Sequence, residues 1–300
     1  MLWSLLALLT ASSMASEGPW TTSRGLHNVY LGVMGERFRC FEAKGASNAA
    51  CSSGIPLSAP VAKTGAKIFY RTGLGDRTDV AFSVPFVQSF ATEPTTNPML
   101  SSTTGIGLVE GRVRQRLGKI GDVGVAAATG VRTGAAHWDT RGRITNLGEG
   151  STDLMAALYL GGTGPVVGRF HTTSMDVRYF YRLPLQQSDS LGRIPGDEVH
   201  LSSVSTFAVT PQLGLGLSAD GFWRLWGEEL DLSRLGQYGD DRWAALRASQ
   251  LKLGGRAVVY PGERRPYLQL SVMRAVWAKN NPVDTTQVEL AMGMDIGRRK

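Results

Sequence analysis

His200-Leu201-Ser202 is the first place in this 300-residue chain where residue types and spacing suit a reaction. On a β-strand, positions i and i+2 share a face, so the imidazole would stand beside a hydroxyl it can deprotonate for nucleophilic attack. A triad also needs a group that orients the imidazole, and none is visible in the sequence around the pair. Metal chemistry has less support. His27, His137 and His171 lack ligand spacing, and the only two cysteines, Cys40 and Cys51, have no histidine near them to complete the four ligands zinc takes. Gly161-Gly162-Thr163-Gly164 lacks the Lys-Ser/Thr and the helix that make a phosphate-binding loop. No cofactor is expected.

Arginines at alternate positions are the more abundant chemical feature, above all the run Arg112, Arg114 and Arg116. Lys and Arg total 32 against 25 Asp and Glu, a formal charge of +7, which attracts anions without choosing among them. Nucleic acid is not an expected partner, because the chain has neither a helical reading element nor a stacking motif. With 42% apolar and 19% charged residues the chain is too apolar for disorder. After the first fifteen residues no uncharged apolar run approaches the ~18 residues of a spanning helix, so any membrane crossing must be made by strands.

The elements that position these residues follow from period-2 patterning. About twelve segments, each about ten to fifteen residues long, alternate in hydropathy and are long enough to cross a bilayer as tilted strands. They cover 26–38, 63–72, 77–88, 104–117, 122–133, 152–161, 171–183, 197–209, 212–226, 245–259, 266–278 and 285–297. Their connections alternate between long, as over 38–62, 89–103, 134–151, 184–196 and 227–244, and short, as at 73–76, 118–121, 210–211 and 261–265. The short connection over 279–284 departs from that rhythm. Tight turns at one end, longer loops at the other and an even strand count are what an up-and-down barrel in an outer membrane needs. The expected fold is all-β, a transmembrane antiparallel barrel of about twelve strands, forming a single domain over 16–300.

Facing follows from the same alternation. Val80, Phe82, Val84, Leu290, Met292 and Met294 are expected toward lipid, and Asp79, Gln287, Glu289 and Asp295 toward the lumen. Arg274, in phase with Leu268, Leu270 and Val272, is expected near a strand end, where an outward charge costs least. Trp138, Trp223, Trp226, Trp243, Tyr260, Tyr267 and Trp277, near strand ends, suit interfacial girdles, with packing among loops the alternative. The lumen then carries Lys67, Arg71, Arg112, Arg114, Arg116, Arg132, Arg178, Arg182, Arg224, Lys252 and Arg256 against Glu36, Glu110, Asp176, Asp220, Glu289 and Asp295. Such a lining either sets a field that favours anions or pairs into a ladder that fills a narrow barrel. Pairing is the favoured reading except at Arg112, Arg114 and Arg116, which exceed their local acids and are the candidates for solute contact.

Leu2 to Leu9 is almost wholly apolar and is followed by Ser13-Met14-Ala15, a small-x-small cleavage site before Ser16, so residues 1–15 read as an export signal, though a short one without Lys or Arg. Export allows Cys40 and Cys51 to close their intervening loop as a disulfide, two unpaired thiols being the alternative.

The segment from Tyr70 to Phe86, with Gly73-Leu74-Gly75-Asp76 between two alternating stretches, resembles the strand-turn-strand of the outer-membrane channels associated with meta-pathway phenol degradation, distant relatives of the long-chain fatty-acid channels. Gly118 to Val125 repeats the turn-then-strand logic. The resemblance spans about Ala62 to Ile296 and implies a bacterial outer-membrane barrel, embedded in lipid, for passive uptake of small, often hydrophobic or aromatic, solutes. It departs in having no long segment ahead of the first strand to act as a plug, and in ending Ile296-Gly297-Arg298-Arg299-Lys300 without a terminal aromatic. The His200/Ser202 pair resembles the twelve-stranded outer-membrane phospholipases, but their following Ser-Asn-Gly is missing, since Ser203-Val204 stands there. A lipid hydrolase and a structural or adhesive surface barrel are the alternative functions.

Overall fold

The computed structural model describes residues 18–42, 51, 55–96, 102–134, 152–166, 169–183, 196–227, 247–261 and 266–297. The expected signal at 1–15 and the girdle candidates Trp138 and Trp243 lie outside them. Thirteen strands follow in chain order: β1 (Leu26–Phe41), β2 (Ile55–Gly73), β3 (Thr78–Ala91), β4 (Thr103–Ile106), β5 (Leu108–Ile120), β6 (Val123–Gly134), β7 (Thr152–Val166), β8 (Arg169–Arg182), β9 (Glu198–Ala208), β10 (Leu213–Arg224), β11 (Ser249–Val259), β12 (Tyr267–Lys279) and β13 (Thr286–Gly297).

β4 and β5 are two halves of one crossing. Both pair with β3, through Phe86 with Ile106 and Ser83 with Glu110, so Gly107, Leu108 and Val109 oppose only Val84 and Pro85. One extra residue on one strand is a β-bulge, and it falls where Pro85 has no amide hydrogen to give the ladder. The Pro85 carbonyl still accepts from the Gly107 amide at 2.9 Å. Each crossing pairs antiparallel with its neighbours in sequence, and β1 pairs with β13. The result is a closed barrel of twelve antiparallel strands, which leaves no edge with unpaired backbone groups.

Closure explains why apolar residues point outward. Phe82, Val84, Leu290, Met292 and Met294 are all exposed, and Val80, outward beside a short turn, is half-buried. Asp79 is buried inside, and Gln287, Glu289 and Asp295 alternate inward with the exposed residues of β13. Leu290 sits mid-strand, opposite Leu270 on β12 and Val33 on β1. Leu290→Arg is expected to cost about 2–4 kcal/mol of folding free energy in a bilayer, against a small change for Glu289→Arg, as read by urea titration in lipid vesicles. Equal tolerance at both positions would mean that the register is wrong. Arg274 is outward and exposed, opposite Thr286, the first residue of β13, hence near a strand end.

Two expectations need correction. The first long connection is shorter than 38–62, because β1 continues to Phe41 and β2 begins at Ile55. Phe38, Ala59 and Val61 bury one another there with help from Leu57 and Ala91, which holds the hairpin together beyond the alternating stretch. Cys40 and Cys51 close it as a disulfide, their Cα atoms 5.8 Å apart. Tyr260 and Tyr267 are not girdle residues. Tyr267 is fully buried inside the barrel and Tyr260 packs against it, because Tyr267 shares the inward phase of Gln269 and Ser271. Trp277, paired with outward Leu251, is exposed on the outside, as interfacial aromatics are, and Trp226 is exposed just past the end of β10.

Ahead of β1, residues 18–24 turn into the barrel at its short-turn end. Arg24 bridges to Gly73, and Pro19 lies against Gly124 of β6 and Gly161 of β7. A side chain at Gly124 would stand 2.9 Å from the Pro19 ring, so the bare inner face at these two positions makes the room.

Candidate functional site: the barrel interior

The inward positions of neighbouring strands come level through the register, which decides which charges meet. Toward the long-loop end, β6 to β10 bring together Arg132, Asp153, Arg182, Glu198 and Arg224, each at or near a strand end. Glu198 is the hub. Its carboxylate accepts from Arg132 at 2.7 Å, Arg224 at 3.1 Å and His200 at 3.0 Å, and Arg182 lies 3.3 Å away. Asp153 takes Arg132 Nε at 2.8 Å, and the Arg132 guanidinium lies over the Phe180 ring at 3.8 Å. All five charged residues are buried. Carboxylates so placed offset the desolvation of the guanidiniums around them.

Half-way along, Arg178 Nε donates to Asp176 at 2.8 Å and Arg112 to Glu110 at 2.7 Å, with Arg178 4.0 Å from the other Glu110 oxygen. On the opposite wall Lys252 donates to Glu36 at 3.2 Å and Gln287 at 3.0 Å. Tyr30 donates to Glu289, and Asn28 to Asp295 at 2.7 Å. Arg71 and Arg112 flank the Phe69 ring at 5.4 and 5.5 Å, and Arg112 also lies over Tyr159.

Arg112, Arg114 and Arg116 share the inner face but not one environment. Arg114 is almost wholly buried and donates to Asp79 at 2.7 Å, to the Gly18 carbonyl at 2.7 Å and to the Trp20 carbonyl at 2.7 Å. Asp79 also accepts from the Thr22 amide at 2.9 Å. Arg114 and Asp79 are therefore a clamp that seats residues 18–22 in the lumen. Arg116, near the turn into β6, is half-buried. Neither Pro19 nor Trp20 stood out in the sequence. The only local hint was glycine at the inward positions Gly124 and Gly161.

The candidate nucleophile pair is not assembled. His200 Nε2 faces Glu198, while Ser202 donates to Asp220 at 2.7 Å and takes a hydrogen bond from Arg178 at 3.2 Å. The His-Ser contact that does form joins His171 Nε2 to Ser205 Oγ at 2.6 Å, with Thr173 at 2.8 Å, on the outer surface where Phe207 stacks on the imidazole. Among the described residues no group of three or more His, Cys, Asp or Glu gathers as a metal site.

No protein-family description and no curated protein sequence matches the chain. Solved structures do. An outer membrane channel from Pseudomonas putida F1 is 14% identical, with a TM-score of 0.69 over 93% of this chain and 98% of that one. The NanC porin is 9% identical, with a TM-score of 0.49 over 88% and 98%. The translocator domain of autotransporter NalP from Neisseria meningitidis is 12% identical, with a TM-score of 0.46 over 98% and 94%. The fold of this chain, a closed antiparallel barrel, is similar to that of the Pseudomonas outer membrane channel.

Proposed function

We propose that the protein is a bacterial outer-membrane channel that passes small solutes down their gradients, residues 1–15 directing export and 16–300 forming one barrel. The observation that carries this reading is the inversion of the barrel: an apolar outer belt around an interior whose buried charges are Arg71, Arg112, Arg114, Arg132, Arg182, Arg224, Lys252 and Arg256 against Asp79, Asp153, Asp176 and Glu198 among the described residues. Its surroundings are outer-membrane lipid and its cargo a small solute of hydrophobic, aromatic or anionic character. The similarity to the Pseudomonas channel supports the reading through the fold. No reaction is part of it, since His200 and Ser202 are engaged with Glu198 and Asp220 rather than with each other.

The test is fractionation with heat-modifiable gel migration, followed by planar-bilayer recording. The protein is expected in the outer membrane, folded until heated, and conducting. Recovery as a soluble, non-heat-modifiable protein would overturn the reading. The excess of buried base predicts a reversal potential displaced toward anions in a salt gradient. Replacing Arg112 and Arg116 together with Gln should move it toward cations, and 1 M salt should blunt the difference because the Debye length falls to about 3 Å. Cation selectivity that the double substitution leaves unmoved would remove Arg112 and Arg116 from the solute path.

A further inference from the structure

Two arginines stand on the outer side of the barrel, above strand faces that are otherwise apolar. Arg37 of β1 and Arg274 of β12 are both exposed, and they are level with each other because each lies opposite Thr286 of the intervening β13. Arg37 keeps the outward phase of Leu31 and Val33, Arg274 that of Leu270 and Val272, and Thr286 that of Val288 and Leu290. The acids of β1 and β13 point the other way: Glu36, Glu289 and Asp295 are engaged inside with Lys252, Tyr30 and Asn28. Asp284, just ahead of β13, turns its carboxylate to the Arg39 and Cys40 amides at 3.0 and 2.8 Å. Among the described residues neither Arg37 nor Arg274 has an ion-pair or hydrogen-bond partner for its guanidinium.

Their height on the barrel follows from the strand. Thr286 is four residues from mid-strand Leu290, which is about 13 Å along the strand and, at a tilt near 40°, about 10 Å along the membrane normal. The apolar band of such a barrel is about 25 Å tall, so both side chains rise from just inside its rim at the long-loop end, and their stems carry the guanidiniums to the headgroups. Trp277, outward three residues further along β12, marks the same boundary. Two strand spacings separate the arginine Cα atoms by about 10 Å, a gap that two long side chains close over the Thr286 hydroxyl. Like charges at the edge of lipid repel, and an anion between them removes the repulsion. Next below Arg37 on the same face, Gly35 leaves open space where a side chain would stand, and its row continues through Val288 to Val272.

We propose that Arg37, Thr286 and Arg274 bind the phosphate of a phosphorylated lipid of the outer leaflet, with an acyl chain of the same lipid lying in the notch at Gly35. Guanidinium forks match phosphate oxygens in pairs, and the threonine hydroxyl is a further donor between them. A phosphate carried on acyl chains is the occupant this surface fits, because the two cations top an apolar belt instead of lining an aqueous path, and a free anion would gain nothing from Gly35, Val288 and Val272. The site rests on the outer-membrane part of the proposed function, but it lies outside the lumen and does not require conduction.

The experiment is native mass spectrometry of the purified full-length barrel in neutral detergent, titrated with diphosphorylated lipid A, its dephosphorylated counterpart and inorganic phosphate. The phosphorylated lipid is expected to bind about tenfold more tightly than the dephosphorylated one, and excess inorganic phosphate should not displace it. Arg37→Gln and Arg274→Gln together should weaken it about tenfold. Both positions are exposed and hold no partner, so the variant barrel stays heat-modifiable, and Arg77→Gln, an exposed arginine at the short-turn end, should leave the affinity unchanged. Equal binding of the two lipids, displacement by inorganic phosphate, or an unchanged affinity in the double variant would each overturn the site. A barrel that conducts but does not retain the phosphorylated lipid rejects the site and leaves the channel; one that retains the lipid but never conducts rejects the channel and leaves the site.

Discussion

Glu198→Gln is expected to destabilise the folded barrel by about 3–5 kcal/mol, because it removes the charge shared by Arg132, Arg182 and Arg224 while leaving those guanidiniums buried. The substitution is nearly isosteric, so lost packing contributes little, and the penalty comes from three buried guanidiniums losing this carboxylate, with Asp153 still facing Arg132 and Arg182. Replacing Arg224 with Leu in the same chain should recover part of the loss, since an apolar side chain tolerates that interior better than a buried guanidinium that has lost its carboxylate. Urea unfolding in lipid vesicles, followed by tryptophan fluorescence, measures both. A loss below about 1 kcal/mol for Glu198→Gln, the scale of an exposed pair, would show that water reaches the cluster and that the ladder is not a structural element.

Asp79→Ala should release residues 18–24 from the lumen and raise single-channel conductance severalfold. Asp79 holds this segment twice, directly through the Thr22 amide and indirectly by fixing Arg114, whose other bonds go to the Gly18 and Trp20 carbonyls. The same substitution leaves Arg114 buried without its carboxylate, so a stability loss of about 3–5 kcal/mol should accompany the opening. Gly124→Val separates the two effects. Its side chain would collide with Pro19 while the Arg114–Asp79 pair stays intact, so conductance should rise without the electrostatic penalty. Unchanged conductance in both variants would mean that the segment does not limit the path.

Much of this architecture was legible because alternation in a strand is a local property. Leu290 and Glu289 are adjacent in sequence and belong to opposite faces whatever the rest of the chain does. The alternating lengths of connections and the even count of crossings were likewise readable along the chain. The pairing partners were not. Arg132 and Glu198 are 66 positions apart and meet across β6 to β9, which depends on the shear of the whole barrel rather than on either strand. His200 and Ser202 shared a face as their spacing required, yet neighbouring strands offered each a stronger partner in Glu198 and Asp220.

Composition and period-2 patterning by themselves determined the fold class, the outward belt and the set of charges that must face inward, because a closed sheet in lipid has to satisfy its backbone and expose its apolar side. Cys40 and Cys51 needed only an oxidising compartment and a short separation in the chain to be nominated as a pair. The tertiary structure alone decided which inward charges neutralise one another, that Tyr267 and Tyr260 fill the interior, and that residues ahead of β1 enter the lumen under Arg114. Those outcomes depend on register and curvature, which bring together side chains from strands far apart in sequence, as when Gly124 and Gly161 leave the hollow that Pro19 occupies. Arg256 shows the same division: its inward phase is written in β11, but its lack of a hydrogen-bonded acid and the tyrosines around it arise only when β1, β11 and β12 come together.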